Sequence, residues 1–576
     1  MADQLYGGGV NPLSEKQFSK LQKSIDWSQK QFEFSRRKRV EAIKQFCGSR
    51  YMESGSEKIM PVNISKLAVE IYVRQLAAHT PRVLITTKRD ELRSTAANFE
   101  LALNQIPNEI GLSRTLRIFV MEALFSVGIL KIGLSDGEQI MGHNYGEVFV
   151  DNVTLDDYFC DMSTGSRNTI QYEGNDYWMD YDDVMEMDWA KKTSREKLKP
   201  DEYTMLGQDG EIRAESIANA STPEVFKDRI HMRDVWLPGE KLLVTYGVTS
   251  KKLLNVVEWE GPKNGPYVWL GYSDVPGNLL PLPPVSIWYD LNELANGLFR
   301  KLGNQADAQK TVQGFPGGDD AGVIAFKDAK DGDGIAYSGA KPEPLTAGGV
   351  DSKTLAFFLQ TRELSSYFAG NLDSLGGLAP MTQTVGQDKL LGEAASAQLR
   401  DMADKTIDAI KEVFYALAWY EWRDPLKQRD LEKKVPGMGV SVPVKWNQES
   451  KQGEFDLYDL EIDVYSCQDD SPATKLQKLG LIVERFITPL SPFIQQQSGS
   501  IDVEAILDDV VKYSDMPEAG RYVTFMDDYT GQQGAPMGAA PTGAPASGAD
   551  EAGGIPQPEP TGTADMMQEL LSDSGE

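Results

Sequence analysis

Residues 284–422 read as a helix, a turn-rich insertion, a second helix, a glycine-rich break and one very long helix. The first helix, beginning near Trp288, carries apolar residues at Trp288, Leu291, Leu294, Leu298 and Leu302. That three-or-four spacing marks one buried helical face. From Gly314 to Gly349 the composition changes. Turn formers surround two short apolar runs, 323–326 and 335–337, which predict a small β-insertion. A second helix is expected at 351–369, interrupted by NLDSLGGLAPMTQTVG, and a third at 387–422. Along the third, Leu399, Met402, Ile407, Ile410, Val413 and Leu417 continue one apolar face. Roughly 35 residues at about 1.5 Å each make a rod of about 50 Å. Few compact enzymes need a protruding hairpin followed by such a strut.

Length and composition narrow the rest. A sequence of 576 residues is too long for one core and predicts three or four domains. With 41% hydrophobic residues it has ample material for globular packing. No apolar run approaches the ~18 residues a membrane span requires, and MADQLYGGGV has no basic-then-apolar signal pattern. The expectation is a protein without membrane contact, made in a reducing cytoplasm. Its cysteines, Cys47, Cys160 and Cys467, are too far apart in sequence to suggest a disulfide framework or a close-spaced zinc site. The net charge of −28 opposes DNA gripping by counterion release, which calls for a basic surface.

In sequence order, 1–11 are glycine-rich, and 14–50 read as a helix holding the basic run Arg36, Arg37, Lys38 and Arg39. Such a run serves a phosphate or partner contact, or simply a solvated face, the commoner use. Helices follow at 63–78, 92–106 (ended by Pro107) and 111–125, with strands at 82–87, 128–134, 147–153 and 156–160. The stretch 172–260 alternates polar helix with short strands, and 12–280 make one α+β body. After the long helix, 440–446 and 457–465 read as strands, and 472–513 as helix. Beyond Asp528 the sequence is low-complexity and predicted disordered. Its closing MMQELL suits either a short docking helix or a chance apolar patch in a solubility tail.

Catalytic signatures are scarce. No Gly-Lys-Ser or Gly-Lys-Thr occurs, which leaves no P-loop. His79, His143 and His231 are isolated, and neither HExxH nor CxxC is present. Asp156, Asp157 and Asp161 form one acidic cluster, and Asp180, Asp182 and Asp183 another. Paired carboxylates bind Mg²⁺ in nucleases, yet with 86 acidic residues such clusters also arise by chance. KDGDGI at 330–335 lacks the carboxylates a calcium loop needs at its first and twelfth positions, Ala329 and Ala340, and reads as a plain turn.

Four stretches carry a family resemblance: PVNISKLAVEIYVRQLAAHTPRVLITT (61–87), PLPPVSIWYDLNELANGLFRKLGNQADAQK (281–310), PGGDDAGVIAFKDAKDGDGI (316–335) and the break before the long helix. In wording and order they resemble the portal proteins, or head-tail connectors, of tailed bacteriophages, over roughly residues 15–515. The resemblance implies an α+β portal fold. After a flexible N-terminus (1–11) come a wing (12–287) and a first stem helix (288–313). A β-containing clip (314–350) and second stem helix (351–370) lead to a tunnel loop (371–388). The long helix completing the wing (389–471), a helical crown (472–527) and a disordered acidic tail (528–576) make up the rest.

The same resemblance implies a homododecamer at the capsid vertex of the virion, assembled in the host cytoplasm. It passes double-stranded DNA and meets the terminase large subunit, the tail adaptor, and the major capsid and scaffolding proteins. It implies no catalysis and no cofactor. Acidity then suits a channel through which phosphate must slide. The tunnel-loop positions are Met381, Thr382, Gln383, Thr384, Gln387 and Lys389. The clip charges, Asp319, Asp320, Lys327, Asp328, Lys330, Asp331 and Asp333, serve either docking or mere solvation of a tip. Stem residues Arg300, Lys301 and Lys310 fit subunit ion pairs or weak DNA contact. The rival reading is a metal-dependent DNA-processing enzyme built on the acidic clusters.

Overall fold

The computed structural model describes residues 13–48, 62–77, 81–135, 146–186, 192–201, 226–315, 317, 320–332, 334–335, 343–370, 372, 385–424, 427–434, 441–462, 480–481, 483–487 and 489. The protein divides into two compact units, Met1–Asp515 and Met516–Glu576, the second lying outside the described residues. The expected disordered tail also lies outside them, as does all of the expected crown but a few positions around Val483–Ile487.

Local chemistry sets the first elements. Ser14 opens α1 (Glu15–Cys47) with a capping box to Gln17. Asn63 caps α2 (Ile64–Leu76) by accepting from the Lys66 backbone N–H. β1 (Val83–Thr87) leads to α3 (Arg93–Glu109) and α4 (Leu112–Phe125), with Gly111 between the two helices at φ 63°. Helix α3 does not end at Pro107 as the sequence suggests. Pro107 sits buried in its last turn, where it removes one backbone bond and still packs on the core.

Two antiparallel sheets follow. β2 (Gly128–Leu134) lies between β3 (Val148–Asn152) and β9 (Tyr267–Leu270). The larger sheet runs in sequence order through β4 (Tyr158–Cys160), β5 (Glu173–Asp180), β6 (Arg229–Leu237), β7 (Leu242–Gly247) and β8 (Lys252–Glu258). Short helices α5 (Tyr181–Glu186) and α6 (Lys192–Arg195) lie between β5 and β6. The described part of 172–260 thus holds short helices and strands, as expected, with the strands longer and arranged as a meander. Gly174 shows why β5 admits no side chain there: a Cβ would stand 2.1 Å from the Asp234 carbonyl oxygen.

Glu173 is fully buried on β5. Its carboxylate accepts from the Tyr158 hydroxyl at 2.6 Å, with Arg167 3.8 Å away. Burial pushes its pKa up, against the pull of Arg167 and of the Tyr158 hydrogen bond. A folded-state carboxyl pKa above the unfolded value of about 4.3 stabilises below that value and loses the stabilisation as pH rises through the folded pKa. Glu173→Gln is therefore expected to raise the urea midpoint at pH 7, and its advantage over the native protein should shrink as pH falls toward 4. An advantage that grew on acidification would reverse the sign.

Beyond β9 come α7 (Pro284–Asp307), β10 (Lys310–Gly314), α8 (Asp320–Asp328), β11 (Glu343–Ala347), α9 (Ser352–Phe368) and α10 (Val385–Arg423). The 39 residues of α10 form the expected strut. Its inner face, including Met402, Ile410, Val413, Phe414 and Leu417, joins the main core with α2, α3 and α4. At its end the Lys451 ammonium donates to the carbonyls of Glu421, Trp422 and Asp424 at 2.8–3.0 Å, satisfying the last turn of the helix. There follows β12 (Arg429–Lys434), which the sequence did not announce, paired with β13 (Ser441–Trp446). β14 (Tyr458–Ile462) returns to pair with β1. Phe99 of α3 lies among Trp422, Trp446, Phe455 and Tyr458, joining the two ends of this unit. The class is α+β.

Candidate functional site

The hairpin α7–α9 is rooted in the body by hydrogen bonds and aromatic stacking. Pro284 occupies the first turn of α7, where its missing N–H costs nothing. Trp288 stacks on Tyr72 of α2 at 5.6 Å, and the Tyr72 hydroxyl donates to the Ala369 carbonyl just past α9. Burial pushes the Tyr72 hydroxyl up to about 12, so it stays a donor. Asn292 and Asn296 turn inward and accept from the backbone N–H groups of Ile64 and Val62, satisfying the start of α2. These buried amides lock the root of α7 to the body.

Above the root, α9 is built inside out. Its buried residues are Thr354, Thr361 and Ser365. Their hydroxyls donate to Asp351, to the Phe357 carbonyl and to the Thr361 carbonyl, so none needs a partner on α7. Leu355, Phe357, Leu359, Leu364, Tyr367 and Phe368 are exposed, Tyr367 by 66% and Phe357 by 47%. Large apolar groups are thus exposed on several sides of α9, with Lys353, Gln360, Arg362 and Glu363 exposed between them. Ile287, Leu294 and Phe299 on α7 extend the surface. A contiguous apolar area of this kind marks an interaction site.

The tip corrects one expectation. Residues 323–326 are not a strand; they lie in α8, with Asp320 in its first turn and Lys327 in its last, as the helix dipole favours. Ile335 lies in coil, and 336–342 lie outside the described residues. The β-structure of the insertion is formed instead by its ends, β10 pairing with β11 from Lys310–Ala347 to Gly314–Glu343. A short apolar run fits either period, and tertiary closure of the hairpin decided between them.

The structure disperses the expected site residues. Arg300 and Lys301 are exposed on α7, and Lys310 begins β10. Hydrogen bonds from the Thr354 hydroxyl and the Lys353 N–H hold the Asp351 carboxyl below its usual range, with help from the charge of Lys301. Asp320, Lys327 and Asp328 belong to α8, while Lys330 and Asp331 follow it. Asp319 and Asp333 lie outside the described residues, as do Met381, Thr382, Gln383 and Thr384. Gln387 and Lys389 fall within α10, so the helix starts before the expected loop ends.

The basic run divides in two. Arg37 and Lys38 pair locally with Glu33 and Glu41 on the exposed side of α1. Arg39 is buried, bidentate to Glu122 at 2.9 and 3.0 Å and bonded to Asp156 at 3.0 Å. Arg36 donates to the carbonyls of Leu155 and Tyr158. Neither the solvated-face reading nor the phosphate reading describes these two arginines, which join α1 to α4 and to the start of β4.

The same bonds occupy the first acidic cluster. Asp156 faces Arg39, Asp157 accepts from Thr154, and Asp161 accepts from Ser163 and the Gln171 N–H. Asp180 pairs with Lys227 and Arg229, and Asp182 and Asp183 are exposed on α5. Among the described residues no group of three or more His, Cys, Asp or Glu could hold a metal ion. His231 lies stacked on Trp178, and His79 and His143 lie outside the described residues. No described helix is long and apolar enough to cross a membrane.

No protein-family model and no curated protein matches this sequence. The functional feature that residue motifs missed is the exposed apolar surface of α9. The large apolar residues of SKTLAFFLQTRELSSYF keep to no single stripe, a signal present in the sequence.

Proposed function

We propose that this protein is the subunit of a phage portal, a ring at the capsid vertex through which double-stranded DNA is packaged, retained and released. The observation that carries this reading is the hairpin: two helices that expose large apolar side chains, closed by a small tip, and followed by a 39-residue helix running back through the core. A lone copy leaves that surface in water, whereas a ring of copies covers it. On this reading α7 and α9 are stem helices, and the residues before α10 form the tunnel loop. The tip from β10 to β11 is the clip that meets the terminase large subunit and later the tail adaptor. The body is the wing that contacts the major capsid and scaffolding proteins. Family resemblance sets the expected ring at twelve subunits. The mechanism is mechanical, with no bond made or broken by the protein.

Native mass measurement followed by negative-stain electron microscopy tests this reading. The expected result is rings near twelve subunits with a central hole. A small oligomer without a ring under any condition would sink the proposal. In the same preparation, the nuclease alternative requires divalent-metal-dependent DNA cleavage that Asp157→Ala or Asp182→Ala removes. No such cleavage is expected, because Asp156, Asp157 and Asp161 already bond within the subunit.

A further inference from the structure

We propose that copies of this protein join head to tail, a stripe on α7 of one copy receiving a different stripe on α9 of the next. The proposal rests on the ring reading and assigns the contact within it. On α7 the exposed residues Ile287, Asp290, Leu294 and Gly297 follow at steps of three, four and three, nearly one line along the helix. On α9, Leu355, Leu359 and Arg362 do the same at steps of four and three.

These two stripes cannot satisfy each other within one copy. Phe299 of α7 meets Phe358 of α9, ring centroids 5.7 Å apart. Leu294 lies five residues from Phe299, about 140° round the helix at 3.6 residues per turn. The α7 stripe therefore faces away from its own α9. Complementary surfaces on different sides of one subunit produce a heterologous contact, which closes into a ring or runs on as a filament.

The levels along the hairpin match in shape and charge. Phe299 beside Phe358, and the Asp351 N–H donating to Gln305, set the two antiparallel helices in register. Leu359 stands at the level of Gly297, where an added Cβ would meet nothing within 4 Å. By the same register Arg362 stands level with Leu294, within about one turn of the levels of Asp290 and Glu293. In the next copy the bulky leucine fills the gap at the glycine and the guanidinium faces the acidic pair. Opposite charge in a fixed register selects one pairing over its alternatives.

The test uses the full-length protein and reads native mass against concentration, with thermal unfolding as a fold control. Gly297→Leu adds a helix-favouring side chain in open space, so the isolated subunit should unfold at the same temperature or higher. Its concentration for half-assembly should rise about tenfold or more, because the added side chain occupies the place of Leu359. Arg362→Glu should weaken assembly as well, and combining it with Asp290→Arg and Glu293→Arg should restore it. Gly297→Leu has a damaged α7 face and Arg362→Glu a damaged α9 face, so their mixture should form one-to-one dimers and stop there. Wild-type rings alongside unimpaired rings of Gly297→Leu would overturn this contact and leave the portal reading standing. So would failure of the charge exchange to restore assembly. A wild-type protein that never forms a ring would overturn both.

Discussion

Exchanging Leu294, Leu355 and Leu359 for glutamine is expected to leave the subunit folded and soluble but unable to assemble. Each of the three is 41–44% exposed, so the monomer loses little by the change. Covering about half of the surface that each still exposes is worth about 1 kcal/mol at ~25 cal/mol per Å². Three lost together amount to about 3 kcal/mol per contact, roughly a hundredfold in its dissociation constant. A ring multiplies the effect, since each copy makes the contact on two sides. Sedimentation velocity would show a single slow species where the native protein sediments as a ring. Unaltered assembly would mean that another surface joins the copies.

Replacing Arg39 with alanine is expected to destabilise the body by about 3–5 kcal/mol, the usual cost of removing one partner from a buried charge pair. Asp156 has no side-chain exposure and Glu122 little, so neither carboxylate would gain water, and the guanidinium left beside Asp156 would be the more distant one of Arg36 at 4.0 Å. That is a large part of the roughly 5–15 kcal/mol that holds a typical domain folded. The sharper result is the double variant Arg39→Met with Asp156→Leu, which should recover much of the loss by removing a buried carboxylate that has lost its closest guanidinium. Urea denaturation of both variants measures the difference. A double variant as unstable as the single one would show that the arginine acts through packing alone.

Much of the architecture was legible because helical and strand periods are local. The three-or-four spacing from Leu399 to Leu417 located α10, whose observed start at Val385 is within a turn of the expected one. The run 128–134 is β2 as expected, and Asn63 and Asp351 stand at the helix starts they were expected to mark. The tip was misread because a short apolar run such as 323–326 has too few residues to establish a period. The exposed apolar residues of α9 were also present in the sequence, where they keep to no single stripe.

The amino-acid sequence by itself determined the α+β class, the hairpin, the long helix and the scattered apolar residues of α9, since each depends on neighbours a few positions apart. Only the tertiary structure decided that β14 pairs with β1, that β10 and β11 close the tip, and that Arg39 lies against Asp156 and Glu122 instead of facing solvent. A charge's role depends on what the fold places beside it, and Arg39 meets those carboxylates 83 and 117 positions away. At such separations nearness in sequence conveys nothing about contact, and the packing of the whole unit selects the partner.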